Sequence, residues 1–378
     1  MKLALIRQKY NPYGGAERFV ERALDAIRAQ GIAVTIVTRR WPADNAQQAL
    51  ICDPPYLESL TRDWGFARGV QRLLQQHDFD LVQSHERIPG CDIYRAGDGV
   101  HAEWLRQRSR AMGALERARI ALNPYHAYMK AAEREMFLSP RLRAVICISN
   151  MVRQDIIEHF GIAESMLHVI YNGVDTEKFH PRLAAEYRAA QRRALGWSDS
   201  DLVLLLVGSG FERKGVGLLL AALRQLPPHI RLLVVGKDKQ EKHYRRLATK
   251  LGLDQRAHFA GGQNDVLPYY GAADVFVMPT LYEPFGNVIL EALASGLPVV
   301  TSTKCGGGEL IDNGREGYVV DALDLTALVA AIGALCESTH RHAAAKAARS
   351  RAEAYTWQAM AEQFSALYAK LLAPAGVA

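Results

Sequence analysis

Glu283 and Glu291 stand eight positions apart in the run Glu283-Pro-Phe-Gly-Asn-Val-Ile-Leu-Glu291, across the expected start of a helix. Ala273–Thr280 before them reads as a buried strand and Pro298–Ser302 after them as the next, so Glu283 belongs to a strand-to-helix turn. A helix starting near Gly286 carries Glu291 roughly 7 Å further along its axis, at about 1.5 Å per residue. Between the two carboxylates lie the N–H groups of a first helical turn, which with the helix dipole make a ready phosphate site. The order carboxylate, phosphate site, carboxylate suits a ligand with a hydroxyl-rich ring at each end of a phosphate bridge, as in a sugar diphospho-nucleoside.

Two further groups could act on such a ligand. Gly208-Ser-Gly-Phe-Glu-Arg213-Lys214-Gly215 follows a strand and precedes a helix. It is not a P-loop, because the lysine comes before the second glycine. Cations at a helix N-terminus are unfavourable unless an anion answers them, so Arg213 and Lys214 point to a diphosphate. Near the start of the chain, Gly14-Gly15 precedes the helix expected over 18–30, and paired glycines let backbone N–H groups approach a phosphate or sugar. Asp98, between glycines, is a candidate for positioning or deprotonating an acceptor hydroxyl, although Asp beside Gly also forms turns. His85 and His101 lie in the same half, as tentative acceptor contacts. No serine sits in a nucleophile elbow, and neither glutamate reads as the nucleophile of a hydrolase pair.

These residues need a scaffold of parallel strands. Strand-like runs fall at 3–6, 33–38, 81–83, 145–148 and 169–171, then at 202–207, 231–235, 257–259, 275–278, 298–301 and 317–319. Helical patterns separate them, which predicts two doubly wound domains with ligands at the carboxyl ends of the strands. The boundary is placed in the turn-rich Tyr171-Asn-Gly-Val-Asp stretch, followed by a connecting helix over 183–195. The last helix carries Trp357, Met360, Phe364, Leu367 and Tyr368 on one face.

A chain of 378 residues suits two cores rather than one. Its five cysteines are scattered with no C-x-x-C pair, so neither disulfides nor a zinc site is expected and a reducing cytoplasm fits. The first apolar run is too short for a secretory signal, and none approaches a membrane span. Much of the +6 formal charge is local: 103–143 holds nine basic residues against four acidic ones, interleaved with apolar side chains. Such a stretch is either an ordinary surface helix pair or a docking surface for an anionic membrane or glycolipid. Nucleic acid is not expected, since no nucleic-acid motif accompanies the charge.

The run Glu-x-Phe-Gly, then Glu-Ala, then Gly-x-Pro-Val-Val resembles the signature of family 4 of the retaining glycosyltransferases, which have the GT-B fold. The resemblance runs from Lys2 to Leu372 and is strongest over 202–320. Gly14-Gly15, Arg213-Lys214, Glu283/Glu291 and the stretch Gly90–Asp98 are also similar to the bacterial lipopolysaccharide core glucosyltransferase I group. It implies two Rossmann-like domains facing a central cleft: an acceptor domain over 1–172 with a crossing helix over 356–378, and a donor domain over 173–355.

By resemblance, Arg213 and Lys214 neutralise the leaving diphosphate, Glu283 binds donor-sugar hydroxyls and Glu291 the ribose. The N–H groups of Phe285, Gly286 and Asn287 take the distal phosphate, with Gly208 beside them and Gly262 under the base. Asn172 and the loop Cys305–Glu309 read as structural. The implied reaction is retaining transfer of a hexose from a UDP-sugar to a heptose of the lipopolysaccharide inner core. It runs by front-face displacement with no metal and no cofactor, because Asp199-Ser-Asp201, like Asp78-Phe-Asp80, precedes a strand instead of following one. The group also implies contact through 103–132 with the cytoplasmic face of an anionic inner membrane. This chain departs from it at Pro284-Phe285, where the group tends to have Ala-Ala. Glucose and N-acetylglucosamine are therefore both expected donors, with galactose behind. A UDP-sugar epimerase of the same fold, a non-catalytic nucleotide-sugar binder, and transfer to another glycolipid or polysaccharide are the competing readings.

Overall fold

The computed structural model of the chain describes residues 2–8, 32–41 and 49–373. Gly14, Gly15 and the helix expected after them lie outside the described residues. Two compact units divide the chain: Met1–Tyr171 with Trp357–Ala378, and Asn172–Thr356.

The first unit runs β1 (Lys2–Ile6), β2 (Ala33–Thr38), β3 (Ala49–Ile51), α1 (Ser59–Leu74), β4 (Leu81–Ser84), β5 (Ile93–Ala96), α2 (His101–Arg110), α3 (Ala114–Ala121), α4 (Pro124–Phe137), β6 (Ala144–Cys147), α5 (Asn150–Phe160) and β7 (Leu167–Val169). The second runs α6 (Leu183–Ala194), β8 (Leu202–Val207), α7 (Val216–Gln225), β9 (Ile230–Val235), α8 (Glu241–Lys250), β10 (Ala257–Gly261), α9 (Leu267–Ala272), β11 (Val275–Met278), α10 (Asn287–Ala294), β12 (Val299–Ser302), β13 (Gly317–Val320), α11 (Leu325–Ala334) and α12 (Ser338–Glu353). A last helix, α13 (Trp357–Leu372), belongs to the first unit.

Each unit holds one parallel sheet, in the order β3-β2-β1-β4-β5-β6-β7 and β10-β9-β8-β11-β12-β13. Strands covered on both faces read as continuous apolar runs, and β8 (Leu-Val-Leu-Leu-Leu-Val) is buried at every position. In both sheets the order reverses beside the unit's first strand, between β1 and β4 and between β8 and β11. Doubly wound sheets open their ligand crevice at that reversal, beyond the carboxyl ends of the strands. In the second unit those ends lead into 208–215 and 279–286.

The expected apolar face of α13 packs into the first unit's core: Met360, Phe364, Leu367 and Tyr368 join Leu3, Leu5, Leu81 and Ile93. Each such side chain contributes about 1.5–3 kcal/mol when buried. The Tyr368 hydroxyl donates to Gln83 Oε1 at 2.6 Å, which fixes the helix across the sheet.

Three expectations about elements need correction. β5 falls on Ile93-Tyr94-Arg95-Ala96 and β3 on Ala49–Ile51, neither of which was read as a strand. β7 closes at Val169 instead of beginning there. The basic stretch forms three helices, α2, α3 and α4, rather than a pair.

Candidate functional site

Arg213, Lys214 and Glu283 meet. Arg213 and Lys214 end the loop after β8, and Glu283 lies in the turn after β11. Arg213 Nη1 donates to Glu283 Oε2 at 2.6 Å and Lys214 Nζ to the same oxygen at 3.1 Å. Arg213 Nη1 also reaches the Tyr282 carbonyl at 3.2 Å, and Lys214 Nζ the Met278 sulfur at 3.3 Å. Lys214 is only 6% exposed, so its charge is held largely out of water. Its stem lies against Gly208, where a Cβ would stand 2.6 Å from Lys214 Cε. Any larger residue at 208 would push the lysine out of its track.

The two cations were expected to be answered by a ligand alone, and the structure supplies a protein carboxylate as well. Burial pushes the Glu283 carboxyl up, but Lys214 and then Arg213 outweigh it and hold the group below its ordinary range. Within this trio, two cations against one carboxylate leave one net positive charge, and a positive charge held partly out of water invites an anion. Among the described residues both bonds fall on Oε2 and none on Oε1.

The loop around Cys305–Gly308 holds this turn in place. Glu283 N donates to the Lys304 carbonyl at 2.8 Å, and Gly306 N returns a bond to the Glu283 carbonyl at 2.8 Å. Gly307 N donates to the Phe285 carbonyl at 2.7 Å, and a Cβ on Gly307 would lie 2.6 Å from that oxygen. The glycines are therefore structural, as their sequence suggested, and what they hold is Glu283. Asp238, missed in the sequence, steadies the facing loop by accepting from Gly210 N at 2.8 Å and Phe211 N at 3.0 Å. The available signal was an Asp two residues past the glycine that closes β9.

Gly286, at φ 82°, caps α10, and Asn287 is its first residue. Phe285 is buried at 1% exposure. Asn172 Nδ2 donates to Asn287 Oδ1 at 2.6 Å, so Asn172 does more than shape its own turn. Five residues into α10, Glu291 Oε2 accepts the Tyr270 hydroxyl at 2.7 Å. Gly262 follows β10 directly, with the site for a Cβ 3.2 Å from Lys237 Cβ. Of the donor-side residues expected from the sequence, Gly208, Arg213 and Lys214 follow β8, Glu283 to Gly286 follow β11, Asn287 and Glu291 lie on α10 and Gly262 follows β10.

The acceptor-side residues divide. Asp98 and His101 share the turn into α2. Asp98 keeps 71% of its side chain exposed and pairs with Arg87 Nη1 at 3.5 Å. The His101 backbone N–H donates to both oxygens of Glu133, at 2.9 and 3.1 Å, and its Nε2 lies 3.0 Å from His126 Nδ1. Burial, then Arg87 and His126, push the His101 imidazole down to about 3, so it is neutral at neutral pH. His85 is buried elsewhere, with Nε2 3.0 Å from Gln83 Nε2 and Nδ1 3.5 Å from Arg7 Nη1. The residues that hold the Asp98 turn were missed: Arg87 also donates to Glu133 Oε1 at 2.7 Å and to the Gly99 carbonyl at 3.1 Å. Glu86 was missed too, and burial and the Asp98 charge raise its carboxyl to about 7.

Among the described residues no group of three or more His, Cys, Asp or Glu side chains could hold a metal. Asp201 of the Asp-x-Asp pairs with Arg231 at 3.1 Å and accepts Ser198 N at 2.8 Å, a structural role. No helix among them is long and apolar enough to cross a membrane. Within the basic stretch, α3 buries none of its residues, and Leu115 and Leu122 are each 84% exposed.

Two family models match the chain: Glycosyltransferase Family 4 over residues 13–178 and Glycosyl transferases group 1 over 188–351. The chain is 30% identical over 326 residues to the lipopolysaccharide glucosyltransferase WaaG of Escherichia coli (strain K12), covering 85% of each. It is also 30% identical over 393 residues to spore coat protein SA of Bacillus subtilis (strain 168), covering 98% of this chain and 100% of the relative. The crystal structure of WaaG, a glycosyltransferase involved in lipopolysaccharide biosynthesis, matches with a TM-score of 0.82 at 28% identity, over 97% of this chain and 99% of the other.

Proposed function

This chain belongs to the GT-B glycosyltransferases of group 1 and family 4, and from that premise we propose that it is a retaining hexosyltransferase. It transfers glucose or N-acetylglucosamine from a UDP-sugar to a heptose of the lipopolysaccharide inner core. The meeting of Arg213, Lys214 and Glu283 at the carboxyl ends of β8 and β11 carries the donor half of this reading. Likeness to the lipopolysaccharide glucosyltransferase supports the acceptor class.

The chemistry follows from the charges. The bond from the anomeric carbon to the β-phosphate oxygen breaks, and its electron pair leaves on that oxygen. Negative charge then develops beside Lys214 and Arg213, and the one net positive charge of these two with Glu283 favours this state over the ground state. The acceptor oxygen bonds to the same face of the anomeric carbon and its proton passes to the departing phosphate oxygen, so the configuration is retained without a covalent nucleophile or a metal. Glu283 orients the two cations through Oε2 and offers Oε1 to a sugar hydroxyl. The start of α10, at Phe285, Gly286 and Asn287, takes the distal phosphate, and Glu291 takes the ribose. On the first unit, Asp98 and His101 position the acceptor.

The protein works in the cytoplasm at the inner-membrane surface, with Leu115 of α3 and Leu122 just after it as the contact, accompanied by Arg108, Arg110, Arg117 and Arg119. Proton NMR of the product tests the stereochemistry: an α-linked hexose is expected from the α-linked donor, and a β-linked product would sink the front-face account.

A further inference from the structure

We infer that Tyr270 is a positioning residue that aims Glu291 at the ribose of the donor, so that the chain distinguishes ribose from deoxyribose through a phenol the nucleotide does not touch. This rests on the assignment of Glu291 to the ribose made above.

Tyr270 lies on α9, the short helix that follows the Gly261–Asp265 loop, and its side chain is 1% exposed. Its ring meets Phe179 edge-on at 5.3 Å between centroids and runs parallel to Phe276 at 6.5 Å. The backbone beneath is equally fixed, because Gly271 packs so closely on α6 that a Cβ would stand 2.4 Å from the Leu183 carbonyl oxygen. A ring held on both sides, on a helix that cannot shift, can direct its hydroxyl to one place. That place is Glu291 Oε2, at 2.7 Å.

A carboxylate offers about four acceptor directions, and the phenol takes one of them. Doing so restrains the plane of the carboxyl group and the rotamer of the side chain. The vicinal hydroxyls of a ribose need an acceptor in a defined plane, and a pre-set carboxylate loses less freedom when it binds them. Burial, reinforced by the Glu291 charge, keeps the phenol protonated well beyond its ordinary range, so it remains a donor.

The test compares binding of UDP and 2′-deoxy-UDP by calorimetry in the wild type, Tyr270→Phe, Glu291→Ala and the double variant. Phenylalanine preserves the ring contacts, and a thermal melt verifies that the fold is kept. The wild type is expected to prefer UDP by about tenfold or more, as sites built to hold a hydroxyl do. Tyr270→Phe should lose most of that preference while binding UDP several-fold less tightly, and in the Glu291→Ala background it should change the preference no further. A Tyr270→Phe protein that keeps the wild-type preference would overturn the inference and leave the ribose assignment standing. A wild type that does not distinguish the two nucleotides, or Glu291→Ala with the wild-type preference, would remove the ribose assignment and the inference with it.

Discussion

Lys214 Nζ and Glu283 Oε2 stand 3.1 Å apart although 69 positions separate them in the chain. The loops that carry them leave β8 and β11, the two neighbouring strands at which the sheet order reverses. The pair is therefore built into the topology of the second unit. Arg213 completes it from the same loop as Lys214 and shares the same carboxylate oxygen. A cation held in place before the donor arrives need not reorganise as charge develops, which is the condition for efficient electrostatic catalysis.

Lys214→Ala is expected to lower kcat by about 10²–10³, the range for loss of one preorganised donor to a developing anion. Glu283 keeps Arg213 as its partner in this variant, so the melting temperature should fall by only a few degrees. Steady-state kinetics and a thermal melt on one preparation check both halves. Loss of fold together with loss of turnover would mean that the lysine is chiefly structural.

Glu283→Gln separates substrate from product. The variant loses a carboxylate that orients both cations and that the proposed function assigns to the sugar, so turnover should fall at least as far as in Lys214→Ala. UDP carries no donor sugar, and the variant presents it with two uncompensated cations, so UDP should bind as tightly as to wild type or several-fold more tightly. Calorimetry with UDP measures this, and markedly weaker UDP binding would count against the charge account.

Much of this was legible in the residues themselves. β8 and β11 stand at the positions expected, because strands covered on both faces spell continuous apolar runs. β5 was hidden by Arg95, whose side chain is buried at 5% exposure inside the sheet; a charged residue breaks the apolar pattern that periodicity detects. The types and places of Arg213, Lys214, Glu283 and Glu291 were readable, and their partners were not. Tyr270 meets Glu291 from 21 positions away and Asn172 meets Asn287 from 115, distances over which no spacing rule operates. Asp238 and Arg87 were overlooked for the same reason, since each holds a loop contributed by another strand.

Gly307→Ala probes the clamp on Glu283. The added methyl would meet the Phe285 carbonyl at 2.6 Å, so the turn must move or the loop must open. A stability loss of about 1–3 kcal/mol, typical of overpacking, is expected together with a fall in turnover. Urea denaturation and kinetics test it, and full activity would show that the clamp is dispensable.

His101 should weaken the first unit on acidification, opposed by Glu86, whose carboxyl, raised to about 7, contributes stability that grows as pH falls below that value. His101 titrates at about 3 when folded, against about 6.5 for an unperturbed imidazole. A depressed histidine contributes stability that is complete above the unfolded value and is lost as pH falls from about 6.5 towards 3. The slope is up to about 1 kcal/mol per pH unit in that window. The lowered Glu283 carboxyl acts in the same sense, but its contribution is present above about 4.3 and disappears only below it. Denaturation at pH 7 and pH 5 in the wild type and in His101→Gln isolates the histidine, and on going to pH 5 the variant should fare better than the wild type. An unchanged slope in that variant would show that His101 is not the responsible group.

Membrane contact is tested by Leu115→Asp with Leu122→Asp. Both side chains are 84% exposed, so the fold should tolerate the change. Co-sedimentation with vesicles containing anionic phospholipid should drop several-fold, while activity on a detergent-free truncated acceptor persists. Undiminished vesicle binding would place the contact elsewhere.

The central claim is acceptor-dependent transfer from a UDP-sugar held at Arg213, Lys214 and Glu283. It is tested most directly by measuring UDP release from UDP-glucose, UDP-N-acetylglucosamine and UDP-galactose, beside GDP release from GDP-mannose, with and without truncated lipopolysaccharide that ends in inner-core heptose. The expected result is rapid UDP release from UDP-glucose or UDP-N-acetylglucosamine only when the acceptor is present, and loss of that release in Lys214→Ala. Nucleotide release with no donor under any condition, or conversion of a UDP-sugar that needs no acceptor, would contradict it.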